Sequence, residues 1–261
     1  MEATAYRQFV ELERTHWWFR GRRTVYLGLL EHLLGGRPLG RVLDLGAGMG
    51  GFLEGLARLG HGDGAANGRL VVPSDVSIES LVTCRERGFG GGVLSSGYAL
   101  PFADESFDLV CLFDAIEHIP DDARAMREVA RVLRPGGHVF VSVPAYQFLY
   151  ANNDRVAQHQ RRYDRAALRA VFEQAGLEVV RNTHANVFLF PLILPVVLAI
   201  KLVEKLFDRE ARSDHTNLTW PLPQVVHDVL HAVFAAELPL TRRFDWPAGH
   251  SIAALAKKPA R

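Results

Sequence analysis

With 261 residues, the chain is long enough to bury a substantial core and short enough to form one elaborated domain. Its 30 Lys and Arg against 29 Asp and Glu leave a formal charge of +1, which excludes strong long-range attraction to nucleic acid or to an anionic membrane and favours a small, roughly neutral partner. The two cysteines, Cys84 and Cys111, exclude a disulfide framework, since Cys111 lies within an apolar run, and a reducing, cytoplasmic setting is expected.

The residues after Met1 are polar and charged rather than apolar, so no secretory leader is expected. Helical periodicity with many bulky aromatics runs from about Tyr6 to Leu34 and stops at Gly35, Gly36 and Pro38, an N-terminal helical cap. Arg41–Leu45 reads as a short apolar strand that leads directly into Gly46-Ala47-Gly48-Met49-Gly50-Gly51 and a helix over Phe52–Leu59. Strand, glycine loop and helix in that order open a βαβ unit. Residues 61–68 have the composition of a flexible loop, and Arg69–Val72 begins a second strand that ends near Asp75.

Val93-Leu94 and Phe107–Phe113 are further buried strands. A helix over Asp121–Leu133, a turn at Arg134-Pro135-Gly136-Gly137 and a β-branched strand over His138–Val143 follow, and another helix opens at Asp164. Leu177–Arg181 and Ser251–Ala256 complete the strands, separated by a long, mainly helical insertion that is expected to be a substrate lid. Strands alternating with helices imply a mostly parallel sheet covered on both faces, with ligands at the carboxyl ends of the strands. The expected organisation is a single domain over 1–261: a cap (1–38), a cofactor-binding core (39–185), a helical lid (186–248), and the last strand and tail (249–261).

Within the insertion, the apolar stretch Val187–Ile200 holds Pro191 and Pro195 and is shorter than the roughly 20 residues that a transmembrane helix needs. No transmembrane segment is expected. The stretch reads as an acceptor pocket, a homodimer contact or an interfacial membrane surface; Glu204, between Lys201 and Lys205, weakens the last.

Gly46, Ala47 and Gly48 remove side chains where the backbone must turn tightly and let a ligand approach, just ahead of a helix N-terminus. Asp75, at the end of the next strand, can accept hydrogen bonds from two ribose hydroxyls. Asp44 in the first strand adds a second carboxylate to this nucleotide-type cradle. Gly46, Gly48 and Gly51 also fit G-x-G-x-x-G, which keeps an NAD-dependent oxidoreductase open as a rival.

An ordered series of motifs then resembles the class I S-adenosylmethionine-dependent methyltransferase superfamily over nearly the whole chain. It comprises Val42–Gly50, Ala99–Val110, Asp114-Ala115-Ile116-Glu117-His118-Ile119 and Leu133–Gly137. Thr15–Arg23, with its His16-Trp17-Trp18-Phe19 core, and the ending Pro247–Ile252 resemble a bacterial subgroup of small-molecule and glycan biosynthesis. The resemblance implies a Rossmann-like α/β fold with a seven-stranded, mostly parallel sheet and S-adenosyl-L-methionine as cofactor. It places the glycine loop at the methionine and ribose portions, Asp75 and Val76 at the ribose, Ser96 and Gly97 at the adenine, and Phe113 and Asp114 at the methionine end. Ser95-Ser96-Gly97 stands where the family usually has an acidic residue, a departure that keeps a catalytically inactive adenosyl-ligand-binding protein in view.

Methyl transfer to a hydroxyl needs a general base, and His118 and His159 are the candidates; oxygen is therefore preferred to nitrogen or carbon as the acceptor atom of a small molecule. Metal ligands are not expected, because the histidines are scattered and the cysteines isolated. The run His159-Gln160-Arg161-Arg162-Tyr163 supplies Arg161 and Tyr163 as substrate-side candidates beside Tyr146. Trp17, Trp18 and Phe19 can close a lid, with Trp17 toward the substrate, Trp18 toward the cofactor, and Arg20 or Arg23 pairing with the cofactor's carboxylate.

Overall fold

Apolar residues alternate between two faces along the central strands, and each face is closed by its own set of helices. The computed structural model describes residues 12–37, 39–59, 70–206 and 221–260. The loop read at 61–68 and the start of the first helix near Tyr6 lie outside them. Seven strands, β1 (Arg41–Leu45), β2 (Leu70–Asp75), β3 (Val93–Leu94), β4 (Phe107–Phe113), β5 (Leu133–Pro144), β6 (Glu178–Ala185) and β7 (Ser251–Lys257), form one sheet in the order β3-β2-β1-β4-β5-β7-β6. Only β7 runs antiparallel to its neighbours, so the sheet is mostly parallel as expected.

The helices are α1 (Trp17–Leu34), α2 (Leu53–Arg58), α3 (Ile78–Glu86), α4 (Asp122–Val132), α5 (Asn152–Val156), α6 (Arg165–Gln174), α7 (Phe190–Leu206), α8 (Gln224–Ala235) and α9 (Leu238–Thr241). On one face, Leu43, Val110, Val139, Val141 and Ile252 pack with Met126 and Val129 of α4 and with Leu168 and Phe172 of α6. On the other, Val42, Leu109, Cys111, Phe140 and Leu255 pack with Val25, Tyr26, Leu29 and Leu30 of α1 and with Phe234 of α8. The period of two along each strand thus builds both halves of the core.

The first helix starts later than the periodicity suggests. Residues 12–15 are helical, but His16 adopts extended backbone and its ring accepts the Trp18 N–H at 3.2 Å, which caps α1 afresh. The expected turn at Arg134–Gly137 becomes a bulge inside β5. Phe107 pairs with Leu133 and Leu109 with His138, so four β5 residues stand opposite Asp108. Gly136 (φ 77°) supplies the left-handed step, and Arg134 binds Asp108 at 2.7 Å, so the strand resumes in register.

The insertion is anchored rather than free-standing. α8 lies along α1, where a Cβ on Gly21 would come within 2.1 Å of the buried Phe234 ring, and one on Gly28 within 2.5 Å of Leu238. α7 carries Pro195 and leaves Leu192, Val196, Leu198, Leu202 and Leu206 exposed. No helix among the described residues is long and apolar enough to cross a membrane.

The α1–α8 contact is testable. Gly21→Ala gains about 1 kcal/mol in intrinsic helix propensity, but its methyl group must displace Phe234, an overpacking cost of about 1–3 kcal/mol. A net fall in stability is expected in chemical denaturation. Gly90→Ala, with open space at its Cβ, serves as the neutral control; equal behaviour of the two variants would refute the close packing.

Candidate functional site

The carboxyl ends of β1, β2, β4 and β5 meet at one edge of the sheet, and the strand order reverses direction between β1 and β4, where such sheets form a crevice. After β1 the chain turns through Gly46 (φ 76°), Gly48 (φ 52°) and Gly50 (φ 76°). Gly46 and Ala47 donate to the Ser74 carbonyl at 2.8 and 3.0 Å, which ties the loop to the end of β2. A Cβ on Gly46 would lie 2.6 Å from that of Ala115, whereas nothing lies within 4 Å of one on Gly48. The first glycine is demanded by packing, and the second opens the loop outward.

The Asp75 carboxylate accepts from Gly48 N–H at 2.8 Å and from Ser77 N–H at 2.9 Å, so it stands at the loop's mouth. Val76 beside it is 76% exposed, an apolar surface available to a flat ring. Ser95 N–H binds the Asp75 carbonyl at 3.0 Å, which brings the Ser95-Ser96-Gly97 segment alongside, with Ser96 exposed and Gly97 buried. Asp44 is buried under the loop with one oxygen unpartnered; burial first, then Asp75 and Glu13, raise its carboxyl to about 8. A neutral carboxyl there keeps a proton to donate. An open glycine turn, an acid at its mouth, an exposed apolar side chain and an orphaned buried oxygen together fit an adenosyl ligand.

Asp114 ends β4 with a left-handed backbone (φ 48°), and its carboxylate pairs with the buried guanidinium of Arg22 from α1. Arg22 lies 4.2 Å from the centre of the Trp18 ring and 5.5 Å from that of Phe52, which stacks on Phe113 at 3.7 Å. Trp18, Phe113 and Asp114 therefore converge on one place, where Arg22, which the sequence reading did not single out, joins them. Arg23 faces Glu13 and Arg87, and Arg20 reaches Asp228 on α8 at 2.5 Å. Trp17 turns to α8, with its backbone N–H toward His227 Nδ1 at 3.4 Å and its ring edge-on to Phe234.

Two histidines far apart in sequence meet beside this edge. The 3₁₀ turn Ile116–His118 follows β4, and His159 follows α5; the His118 and His159 rings sit edge to face, 4.7 Å apart. Asp154, 1% exposed, binds His159 Nδ1 and Arg162 Nε, each at 2.8 Å. Burial raises the Asp154 carboxyl, but the hydrogen bonds from His159 and Arg162 outweigh it and hold the group at about 2. An ionised Asp154 accepts a hydrogen bond from His159 Nδ1–H, which turns Nε2 toward Glu117 Oε1, 4.0 Å away. Glu117 is fully buried, and burial first, then Asp114, push its carboxyl well above the usual range. Burial and the neighbouring His159 lower His118.

Tyr163 and Arg161 share a partner within the protein. The Tyr163 hydroxyl, buried between β5 and α4, donates to Asp122 at 2.7 Å, and Arg161 pairs with the same carboxylate at 2.7 Å. Tyr146 (φ 64°) stacks on His184 at 5.3 Å and on Phe190 of α7 at 5.8 Å, at the join between sheet and insertion. Sequence reasoning missed Arg22 and Asp154. Arg22 could have been found by its spacing, four residues from both Trp18 and Tyr26 on one helical face; α5, which carries Asp154, has no apolar pattern to announce it.

Residues 43–141 match the model of a family described as a methyltransferase domain. The chain is 36% identical over 166 residues to methyltransferase GfsG of Streptomyces halstedii, covering 56% of this chain and 55% of that one. It is 31% identical over 144 residues to 27-O-demethylrifamycin SV methyltransferase of Amycolatopsis mediterranei, covering 50% of each. The chain spans half to two thirds of the length of the curated relatives it matches. A solved SAM-dependent methyltransferase of Thermotoga maritima shares the fold, with a TM-score of 0.57, 19% identity and 97% of each chain covered.

Asp44 gives the cradle a pH signature. From its ordinary value of 3.8 up to about 8, the unfolded chain has lost this proton while the folded chain retains it, so stability falls as pH rises across that window. Asp44→Asn is expected to gain Tm over the wild type progressively between about pH 5 and about pH 8 in differential scanning fluorimetry. A gain that stays constant with pH would contradict the buried, neutral carboxyl.

Proposed function

We propose that this chain, a member through residues 43–141 of the class I S-adenosylmethionine-dependent methyltransferase superfamily, transfers a methyl group from S-adenosylmethionine to a hydroxyl oxygen of a small-molecule acceptor. The observation that carries the oxygen acceptor is the Asp154–His159 pair beside the cofactor edge. The bound sulfonium supplies an already activated methyl group, so alignment and proton removal are what the protein must add. Gly46, Ala47, Gly48 and Asp75 would hold the ribose and methionine portions. Val76, Ser96 and Gly97 face the adenine, and Trp18, Phe113, Asp114 and Arg22 close the methionine end.

His159 Nε2 takes the acceptor's proton, and Asp154 stabilises the imidazolium that forms, the division of labour of a carboxylate-oriented histidine base. His118 lies against the same ring and helps to set its position. Tyr146 and α7 frame the acceptor side with aromatic and aliphatic surface, which suits an apolar small molecule better than a charged polymer. The Amycolatopsis relative is named as a 27-O-demethylrifamycin SV methyltransferase, an oxygen acceptor in keeping with that reading.

Calorimetric titration should show binding of S-adenosylmethionine and S-adenosylhomocysteine but not of NADH, with loss of binding in Asp75→Ala; binding of NADH alone would refute the proposal. With radiolabelled methyl donor and a panel of hydroxylated acceptors, Asp154→Asn should lower kcat by about 10²–10⁴-fold with KM little changed. An unchanged kcat would rule out the Asp154–His159 pair as the base.

A further inference from the structure

We propose that Glu117, His118 and His159 form a binding site for a divalent transition-metal ion. One ligand atom from each lies within 4.8 Å of the others, although the residues come from two segments, the turn after β4 and the loop after α5. The histidines that look scattered in the sequence are thus gathered by the fold around a carboxylate.

Glu117 is 0% exposed, and neither of its carboxylate oxygens has a hydrogen-bond partner. A buried carboxylate in that condition is rare, because nothing replaces the hydration it has lost. The nearby cations are already spent: Arg22 is paired with Asp114, and Arg162 with Asp154. Glu117 is the carboxylate of this group with no cation paired to it, and a metal ion between it and the two imidazoles would provide one, displacing any proton it carries.

The surroundings also have the form that metal-binding histidines take. Asp154 bonds His159 Nδ1 at 2.8 Å, so the other ring nitrogen is turned toward Glu117 with its lone pair free, a carboxylate–histidine–metal arrangement. Two imidazoles and one carboxylate suit zinc, iron(II) or cobalt(II), whereas magnesium and calcium prefer oxygen donors throughout. Three protein ligands leave further positions for water or a ligand oxygen, and the exposed His118 gives an ion access from solvent. A metal on His159 Nε2 occupies the lone pair that the base reading uses, so the metal-loaded and metal-free proteins differ in how they treat an acceptor.

The test is spectroscopic. The full chain, dialysed against a chelator, is titrated with Co²⁺, whose visible absorption reports its ligand field, and then with Zn²⁺. Uptake of one equivalent of Co²⁺, displaced by one of Zn²⁺, is expected, weakened about ten-fold or more in Glu117→Gln and His118→Ala and about 10–100-fold in Asp154→Asn. Because His118 is exposed, His118→Ala tests ligation without challenging the core, and circular dichroism verifies that Glu117→Gln is folded. No Co²⁺ spectrum in the wild type, or binding unchanged in folded Glu117→Gln or His118→Ala, would overturn the site. The titration contains neither methyl donor nor acceptor, so its failure leaves the methyl-transfer proposal standing, and a failure to bind S-adenosylmethionine leaves the metal site standing.

Discussion

The buried ion pair between Arg22 and Asp114 is the contact on which the rest of the site depends. It joins the N-terminal helix to the end of the central strand β4, with the guanidinium stacked on Trp18 so that its charge is shielded on one face and neutralised on another. Removing one partner of such a pair leaves an uncompensated buried charge, at a cost of about 3–5 kcal/mol. The pair therefore fixes where α1 can sit, and α1 in turn sets the depth of Trp18 and the packing of Phe52 on Phe113. Glu117 follows Asp114 by three residues, so the second carboxylate takes its place from the same anchor.

Backbone conformation shows that several strands end under a common constraint. Asp114 after β4 (φ 48°), Tyr146 after β5 (φ 64°) and Asn186 after β6 (φ 54°) are all non-glycine residues in the left-handed region. Each such residue costs on the order of 1 kcal/mol or more and persists only where the surroundings enforce it. Here the enforcement is visible: Asp114 by Arg22, Tyr146 by hydrogen bonding of its N–H to the Tyr163 carbonyl at 2.7 Å, and Asn186 by its N–H to the buried Glu237 at 2.7 Å. The chain turns sharply where each strand reaches the crevice, so side chains from neighbouring strands face one space instead of continuing past it.

The cradle was largely legible in the sequence because its requirements are local. Glycines at 46 and 48, an acid at 75 and apolar runs at 41–45 and 107–113 each meet a need of their own few residues. The neighbourhood of the histidines was not legible, since Asp154 and Glu117 acquire their meaning only when β4 and β5 lie side by side. Arg22 and Arg23 show a finer limit. Adjacent positions on a helix point about 100° apart, so choosing between two arginines requires knowing which face α1 buries, and His16 resets that face by starting the helix anew. The contact of Tyr163 and Arg161 with Asp122 could not be read from the sequence, because the three residues meet only across the folded chain. The bulge in β5 left the same composition signal as a true turn.

The packing of α1 on α8 sets a schedule for folding as well as a shape. Trp17 and His227 touch across a separation of 210 residues, so α1 cannot bury its outer face until α8 has been made. At a synthesis rate of roughly 5–20 residues per second, that interval is about 10–40 s. Val25, Tyr26, Leu29 and Leu30 can find the sheet as β1, β4 and β5 emerge, but the side of α1 that meets Phe234 has no partner until then. The β3-β2-β1-β4-β5 part of the sheet and its glycine turn can therefore form before α8 arrives, whereas β6 joins the sheet only through β7, which follows α8 in the chain.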